Sequence, residues 1–158
     1  MTQRTSQLVE ISSKTIDARG PRFSAVITSL VLATALGTHS VWVLAAQALV
    51  FAIGALRGPQ FTPYAAIFRT VVRPRLKGAV PTEDVRPPRF AQSVGLIFTL
   101  VGVVGSVLHL PLLFTIATGF ALAAAFLNAA FDYCLGCEFY LLLLRLRTAH
   151  ATLATPGK

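Results

Sequence analysis

Apolar positions fall in two long blocks. Residues 23–56, 34 in all, carry one titratable side chain, His39, and residues 90–131, 42 in all, carry one, His109. A helix needs about 20 apolar residues to cross a ~30 Å hydrocarbon core, with roughly 17 as the short limit. The second block therefore predicts two spans, parted near His109, Leu110 and Pro111, and the first predicts two shorter ones, parted at Gly37-Thr38-His39-Ser40. Four transmembrane helices are expected, over 22–37, 40–56, 90–108 and 111–131. The first pair would also fit a re-entrant hairpin that dips into the bilayer and returns. The basic lead, the apolar run and Ala33-Thr34-Ala35 superficially spell a secretory signal. A polar lead of this length and an apolar run that resumes at once argue against cleavage. Residues 1–14, rich in Ser, Thr and Gln and without periodicity, read as a flexible tail.

Composition sharpens this picture. The chain has 158 residues, 54% hydrophobic and 13% charged, with a mean hydropathy of +0.68. Soluble domains carry about 25% charge. An all-α integral membrane protein in contact with a lipid bilayer is expected. The 14 Lys and Arg outnumber 6 Asp and Glu, for a net +8. These positives flank uncharged runs instead of covering a polar surface, so no nucleic-acid partner is expected. They precede the first helix, lie between the second and third, or follow the fourth, and neither hairpin tip carries one. The positive-inside rule then predicts an inner-membrane protein with both termini and the central loop cytoplasmic.

The chain repeats itself. Asp17-Ala-Arg-Gly-Pro-Arg-Phe23 recurs as Asp84-Val-Arg-Pro-Pro-Arg-Phe90, with five of seven residues identical. Each copy stands before a hairpin with a lone histidine at its tip. Each hairpin is followed by a stretch that returns to arginine, 63–75 and 134–147, read as a short interfacial helix. The expected organisation is a tail over 1–16, a membrane repeat over 17–78, a linker over 79–83, a second repeat over 84–148 and a tail over 149–158. An even number of spans per unit makes the repeats parallel. Asp17 and Asp84 are placed to cap or pair with the arginines beside them. Arg19, Arg22, Arg86 and Arg89 read as snorkelling anchors, with an anionic-ligand site as the alternative. Small residues four apart, Ala25/Ser29/Ala33/Gly37 and Ala117/Ala121/Ala125/Ala129, predict close-packed helix seams. Asn128, at the polar end of the fourth span, is expected to bond to a neighbouring helix or a ligand.

The only two cysteines form Cys134-Leu-Gly-Cys137, where the fourth helix leaves the membrane. Gly136 is expected to permit the bend. A helix N-terminus lowers a thiol pKa from about 8.5, whereas neighbouring Asp132 and Glu138 oppose the thiolate. A dithiol–disulfide switch, persulfide carriage, a metal site and plain packing all remain open at this point. For the switch, Cys134 is the expected attacking thiol and Cys137 the resolving one. A complete zinc site needs four ligands, and the two tip histidines lie across the membrane, so no metal is expected.

Three blocks carry a family resemblance: Asp-x-Arg-Gly-Pro-Arg-Phe, Pro-Pro-Arg-Phe-Ala-Gln-Ser-Val-Gly and Phe-Leu-Asn-Ala-Ala-Phe-x-Tyr-Cys-Leu-Gly-Cys-Glu. Over about residues 17–147 the chain resembles small bacterial membrane proteins grouped as domain-of-unknown-function family 4395. The resemblance implies a helical membrane protein and a retained pair at Cys134 and Cys137, and it supplies no activity. It also implies company with thioredoxin-like or sulfurtransferase proteins. No phosphate-binding glycine loop, nucleophile elbow or haem-attachment motif is present, and no cofactor is expected. The expected function is a cytoplasmic-face dithiol for redox exchange or sulfur transfer. The alternative is a non-enzymatic subunit or small transporter with structural or metal-binding cysteines.

Overall fold

A computed structural model describes residues 15–153, with side chains described through residue 147. Of the tail expected over 1–16, residues 1–14 lie outside the described residues, and residues 15–16 belong instead to a short strand. In chain order the elements are β1 (Thr15–Asp17), α1 (Arg19–Thr38), α2 (Val41–Leu56), α3 (Pro63–Ile67), β2 (Thr82–Asp84), α4 (Arg86–Val107), α5 (Pro111–Phe131) and α6 (Leu135–Leu153). α1, α4 and α5 are long and apolar enough to cross a membrane, and α2 is a shorter apolar helix. At 1.5 Å per residue the three long helices measure about 30–33 Å and α2 about 24 Å.

The breaks have local causes. α1 ends where His39 turns left-handed at φ 49°, and Ser40 then starts α2 by accepting a hydrogen bond from Val43 N–H at 3.4 Å. The second tip is built alike: His109 sits at φ 55°, and Pro111 opens α5, where its missing N–H has no partner to lose. α1 and α4 both begin four residues earlier than the apolar blocks do, at Arg19 and Arg86. Asp17 Oδ1 accepts the Arg19 N–H at 3.0 Å and Asp84 Oδ1 accepts the Arg86 N–H at 2.8 Å, so the helices extend through the arginines.

α1 packs on α2 and α5, α4 packs on the same two, and α6 lies against α4. The centre is held by Leu32, Ala35, Leu44, Phe114 and Ala121. Close approach depends on Gly102 of α4: a β-carbon there would lie 2.8 Å from Leu44 and 3.0 Å from the Thr118 hydroxyl. The small-residue seam on α5 is buried at Ala117 and Ala121. On α1 the expected seam is corrected, because Ala33 and Gly37 are exposed and the buried stripe runs through Ser24, Ala25, Thr28, Leu32 and Ala35. Helical periodicity of 3.6 drifts a strict spacing of four around the helix. Outside, Trp42 is 82% exposed, Leu112 72% and Leu30 65%, an apolar belt suited to lipid rather than water. These are the dimensions of a multi-pass membrane protein.

Two short strands supplement the helices. β1 and β2 pair antiparallel in the register Thr15↔Asp84, Ile16↔Glu83, Asp17↔Thr82. The two motif copies thus bind each other, and residues 82–83 form strand where a linker was expected. The expected surface helix over 63–75 is interrupted: α3 gives way to a π-helical turn at Phe68–Val72 and a 3₁₀ turn at Arg73–Arg75. The second, α6, is one helix that continues to Leu153, past the start of the tail expected over 149–158.

Gly102→Val should overfill the contact between α4, α2 and α5. We expect a loss of about 1–3 kcal/mol, read as a lower unfolding midpoint in detergent. An unchanged midpoint would show that α4 does not approach its neighbours this closely.

Candidate functional site

The end of the bundle opposite the histidine tips gathers the motif copies, the arginines and the cysteines. Each copy does three parallel jobs. Its aspartate pairs with the arginine two residues on, Asp17 with Arg19 at 3.2 Å and Asp84 with Arg86 at 3.7 Å. Its second arginine reaches a helix end in the other half of the chain. Arg22 donates to the Ala129 carbonyl of α5 at 3.3 Å, and Arg89 donates to the Ala55 and Leu56 carbonyls of α2, both at 2.8 Å. Its phenylalanine rests on the segment after a hairpin, Phe23 on Phe68 and Phe90 on Phe139. The last carbonyls of a helix have no intrahelical donors, and a guanidinium both bonds them and suits the negative end of the helix dipole.

α5 stops at Asp132, which takes a left-handed conformation at φ 56° while its N–H donates to Asn128 O. The bend is therefore made by Asp132, correcting the role expected for Gly136. Gly136 lies inside α6 and lets that helix press on α4, since a β-carbon there would fall 2.7 Å from Ala91 Cα and Cβ. Asn128 is half-buried, and its hydrogen bond is made through the main chain; no bond from its amide to another helix occurs among the described residues.

Cys134 precedes the first residue of α6. Its carbonyl accepts the first intrahelical bond, from Glu138 N–H at 3.0 Å, and its sulfur accepts from Cys137 N–H at 3.3 Å. Cys134 and Cys137 stand at disulfide distance, with S–S 2.22 Å and Cα–Cα 5.2 Å. Both are half-buried, while Asp132 and Glu138 are exposed beside them. Among the described residues no group of three or more His, Cys, Asp or Glu gathers as a metal cage.

Two features went unread in the sequence. Glu83 of β2 is half-buried, and burial first, then the carboxylates of Asp132 and Asp17, push its pKa up. Only the β1–β2 pairing, invisible to periodicity, brings these three acids together. Asp17 behaves oppositely: burial would raise it, but bonds from Arg19 and the charge of Arg73 bring it below the ordinary 3.8. The second feature is a polar chain inside the bundle. Gln47 of α2, 1% exposed, accepts from the Tyr64 hydroxyl at 2.7 Å and donates to Thr28 Oγ1 at 3.5 Å. As the one amide in the first apolar block, Gln47 was the available signal.

Apolar spans and a half-buried cysteine pair at the basic end define a helical membrane protein with two cysteines at disulfide distance. The chain belongs to the family described as domain of unknown function DUF4395, whose profile matches residues 16–145. No curated protein and no solved structure matches it.

Two substitutions probe this site. Gly136→Ala should push α6 off Ala91, costing about 1–3 kcal/mol and raising the alkylation rate of the reduced cysteines; unchanged values would refute the close contact. Glu83 binds its proton more tightly folded than unfolded, so its stabilising contribution is full below 4.5 and is lost as pH rises through the raised value. Glu83→Gln should therefore raise the melting temperature at neutral pH and leave it unchanged below 4.5. Thermal melts over a pH series measure this, and a neutral-pH loss would contradict it.

Proposed function

We propose that the protein is a four-span inner-membrane protein of two parallel hairpin repeats that presents a cytoplasmic Cys134–Cys137 dithiol for exchange with a soluble partner. The reading rests on Cys134 Sγ, which caps α6 by accepting the Cys137 N–H. Helix N-terminal N–H groups stabilise a thiolate, so Cys134 is the sulfur that attacks and is attacked. Cys137, within the first turn, is the resolving thiol.

In the disulfide form, a partner thiolate attacks Cys134 Sγ. The S–S bond breaks and Cys137 leaves as thiolate, which takes up a proton. The second partner thiol then attacks its own mixed-disulfide sulfur, releasing the Cys134 thiolate. Two electrons pass from the partner, now a disulfide, to this chain, now a dithiol. Exchange in the reverse direction runs through the same mixed disulfide. A thioredoxin-like or sulfurtransferase protein supplies the matching pair of sulfurs. The closed pair favours exchange over persulfide carriage and over metal binding, both of which use free thiolates.

The topology is supported by charge. The arginines of α1, α4 and the segment between α2 and β2 all lie at the end of the bundle opposite the tips, which matches the positive-inside rule. His39 and His109 line one cavity, which supports two hairpins reaching the same depth despite the shorter α2. The strand register is symmetric about Ile16↔Glu83, with Thr15 and Thr82 in matching places. That symmetry, with the matched aspartate, arginine and phenylalanine contacts, supports repeats related by rotation about the membrane normal. The same helix α6, carrying Phe139, Leu142 and Leu146 exposed, suits the headgroup layer.

Cys137→Ser should trap a mixed disulfide on Cys134, seen as a gel shift reversed by reductant, and Cys134→Ser should trap none. A mass increase of one sulfur on Cys134 would instead select persulfide transfer. If neither variant traps anything and both thiols titrate near ~8.5, the cysteines are structural and the subunit or transporter reading replaces this one.

A further inference from the structure

A cavity of about 400 Å³ opens at the basic end between β1, the start of α1, the segment after α2 and the start of α4. It lies on a different face of α4 from the dithiol: Pro88 and Gln92 line it, whereas α6 rests on Ala91. Its walls combine charged and apolar side chains. Asp17, Arg69 and Arg73 stand at the strand and arginine level, with Phe61 and Phe68 providing apolar surface beside them. Phe61 is 58% exposed although it lines the cavity, so the mouth carries an apolar lip.

The arginines are the informative part. Arg19 and Arg86 are held by aspartates, and Arg22, Arg89 and Arg75 bond to main-chain carbonyls. Arg69 and Arg73 form no ion pair or side-chain hydrogen bond among the described residues, and both face the cavity. Four residues apart, they fall on one side of the helical segment. Arg73 N–H bonds back five residues to Phe68 O, widening the turn, and such turns recur at functional sites. The one carboxylate in the wall, Asp17, is paired with Arg19 at 3.2 Å and also lies within the field of Arg73. Two of the buried polar atoms without partners, Gln60 Oε1 and Gln92 Oε1, also belong to wall residues.

We propose that this cavity binds a phosphate group carried on an amphipathic, hydroxyl-bearing molecule. Arg69 and Arg73 hold the phosphate, the glutamine amides hold headgroup hydroxyls, and Phe61 and Phe68 meet the apolar part. Guanidinium groups match phosphate oxygens in geometry as well as charge. The cavity's place at the polar ends of the helices makes a membrane phospholipid one source of that phosphate and free phosphate the other.

The test uses the full-length protein, delipidated in neutral detergent, with binding followed by native mass spectrometry. The probes are phosphatidylglycerol, diacylglycerol of the same chains, and inorganic phosphate. Phosphatidylglycerol should bind, and Arg69→Gln/Arg73→Gln should weaken it about tenfold or more, the loss expected for charge-assisted bonds. Arg75→Gln, which removes one positive charge outside the cavity, should change binding by less than about twofold. Ala65→Phe, which fills the cavity and keeps both arginines, should also weaken binding. Arginine-dependent binding of inorganic phosphate at equal strength would uphold the phosphate site and assign it to a soluble ligand. Diacylglycerol binding as tightly as phosphatidylglycerol, or equal losses in Arg75→Gln and the double variant, would overturn the proposal. None of these readouts involves the cysteines, so they separate this site from the dithiol.

Discussion

The end of each membrane helix leaves carbonyl groups unsatisfied just where water gives way to hydrocarbon, and this structure answers that constraint across the two halves of the chain. Arg22, at the start of α1, serves α5, and Arg89, at the start of α4, serves α2. Neither hairpin satisfies its own C-terminal carbonyls with these groups; each depends on the other's motif. The antiparallel pairing of β1 and β2 holds both motifs side by side. Helix ends, arginines and ribbon therefore form one connected unit, and β1 of the ribbon supplies one wall of the cavity.

The cysteine pair gains its setting from a backbone break rather than from a dedicated pocket. Asp132 ends α5 in a left-handed turn, so Cys134 meets the N-terminus of a new helix. Favourable N–H groups and unfavourable acids then act on the same sulfur from opposite sides. Asp132 is exposed, where solvent screens its charge, while the N–H of Cys137 touches Cys134 directly. Glu83 lies in the same region, its pKa raised by burial and by the neighbouring carboxylates of Asp132 and Asp17.

The interior of the bundle carries its own polar commitment. Gln47 sits among apolar helices with both ends of its amide bonded, to Tyr64 and Thr28. An unpaired amide there would carry a heavy desolvation cost, so this chain ties α3, outside the spans, to the packed faces of α1 and α2. The segment bearing Arg69 and Arg73 is thereby fixed against the bundle instead of floating over it.

Charge-free runs and lone breakers were sufficient to place the helices within a few residues, because hydrocarbon excludes charge and unpaired backbone so strongly that length and hydropathy leave few choices. The same logic located the cysteines at a helix junction, and the repeated motif announced itself in identical letters. What Asp132 rather than Gly136 does at the junction was not legible, since a non-glycine left-handed residue depends on its surroundings. Nor was the buried stripe of α1, which is decided by which neighbours it meets. Glu83 beside Asp132, Arg89 over Leu56 and the shared cavity of Arg69 and Gln92 join residues tens of positions apart in the chain. Local pattern records which face is apolar, not what lies opposite it; only the packing of one half against the other decided those contacts.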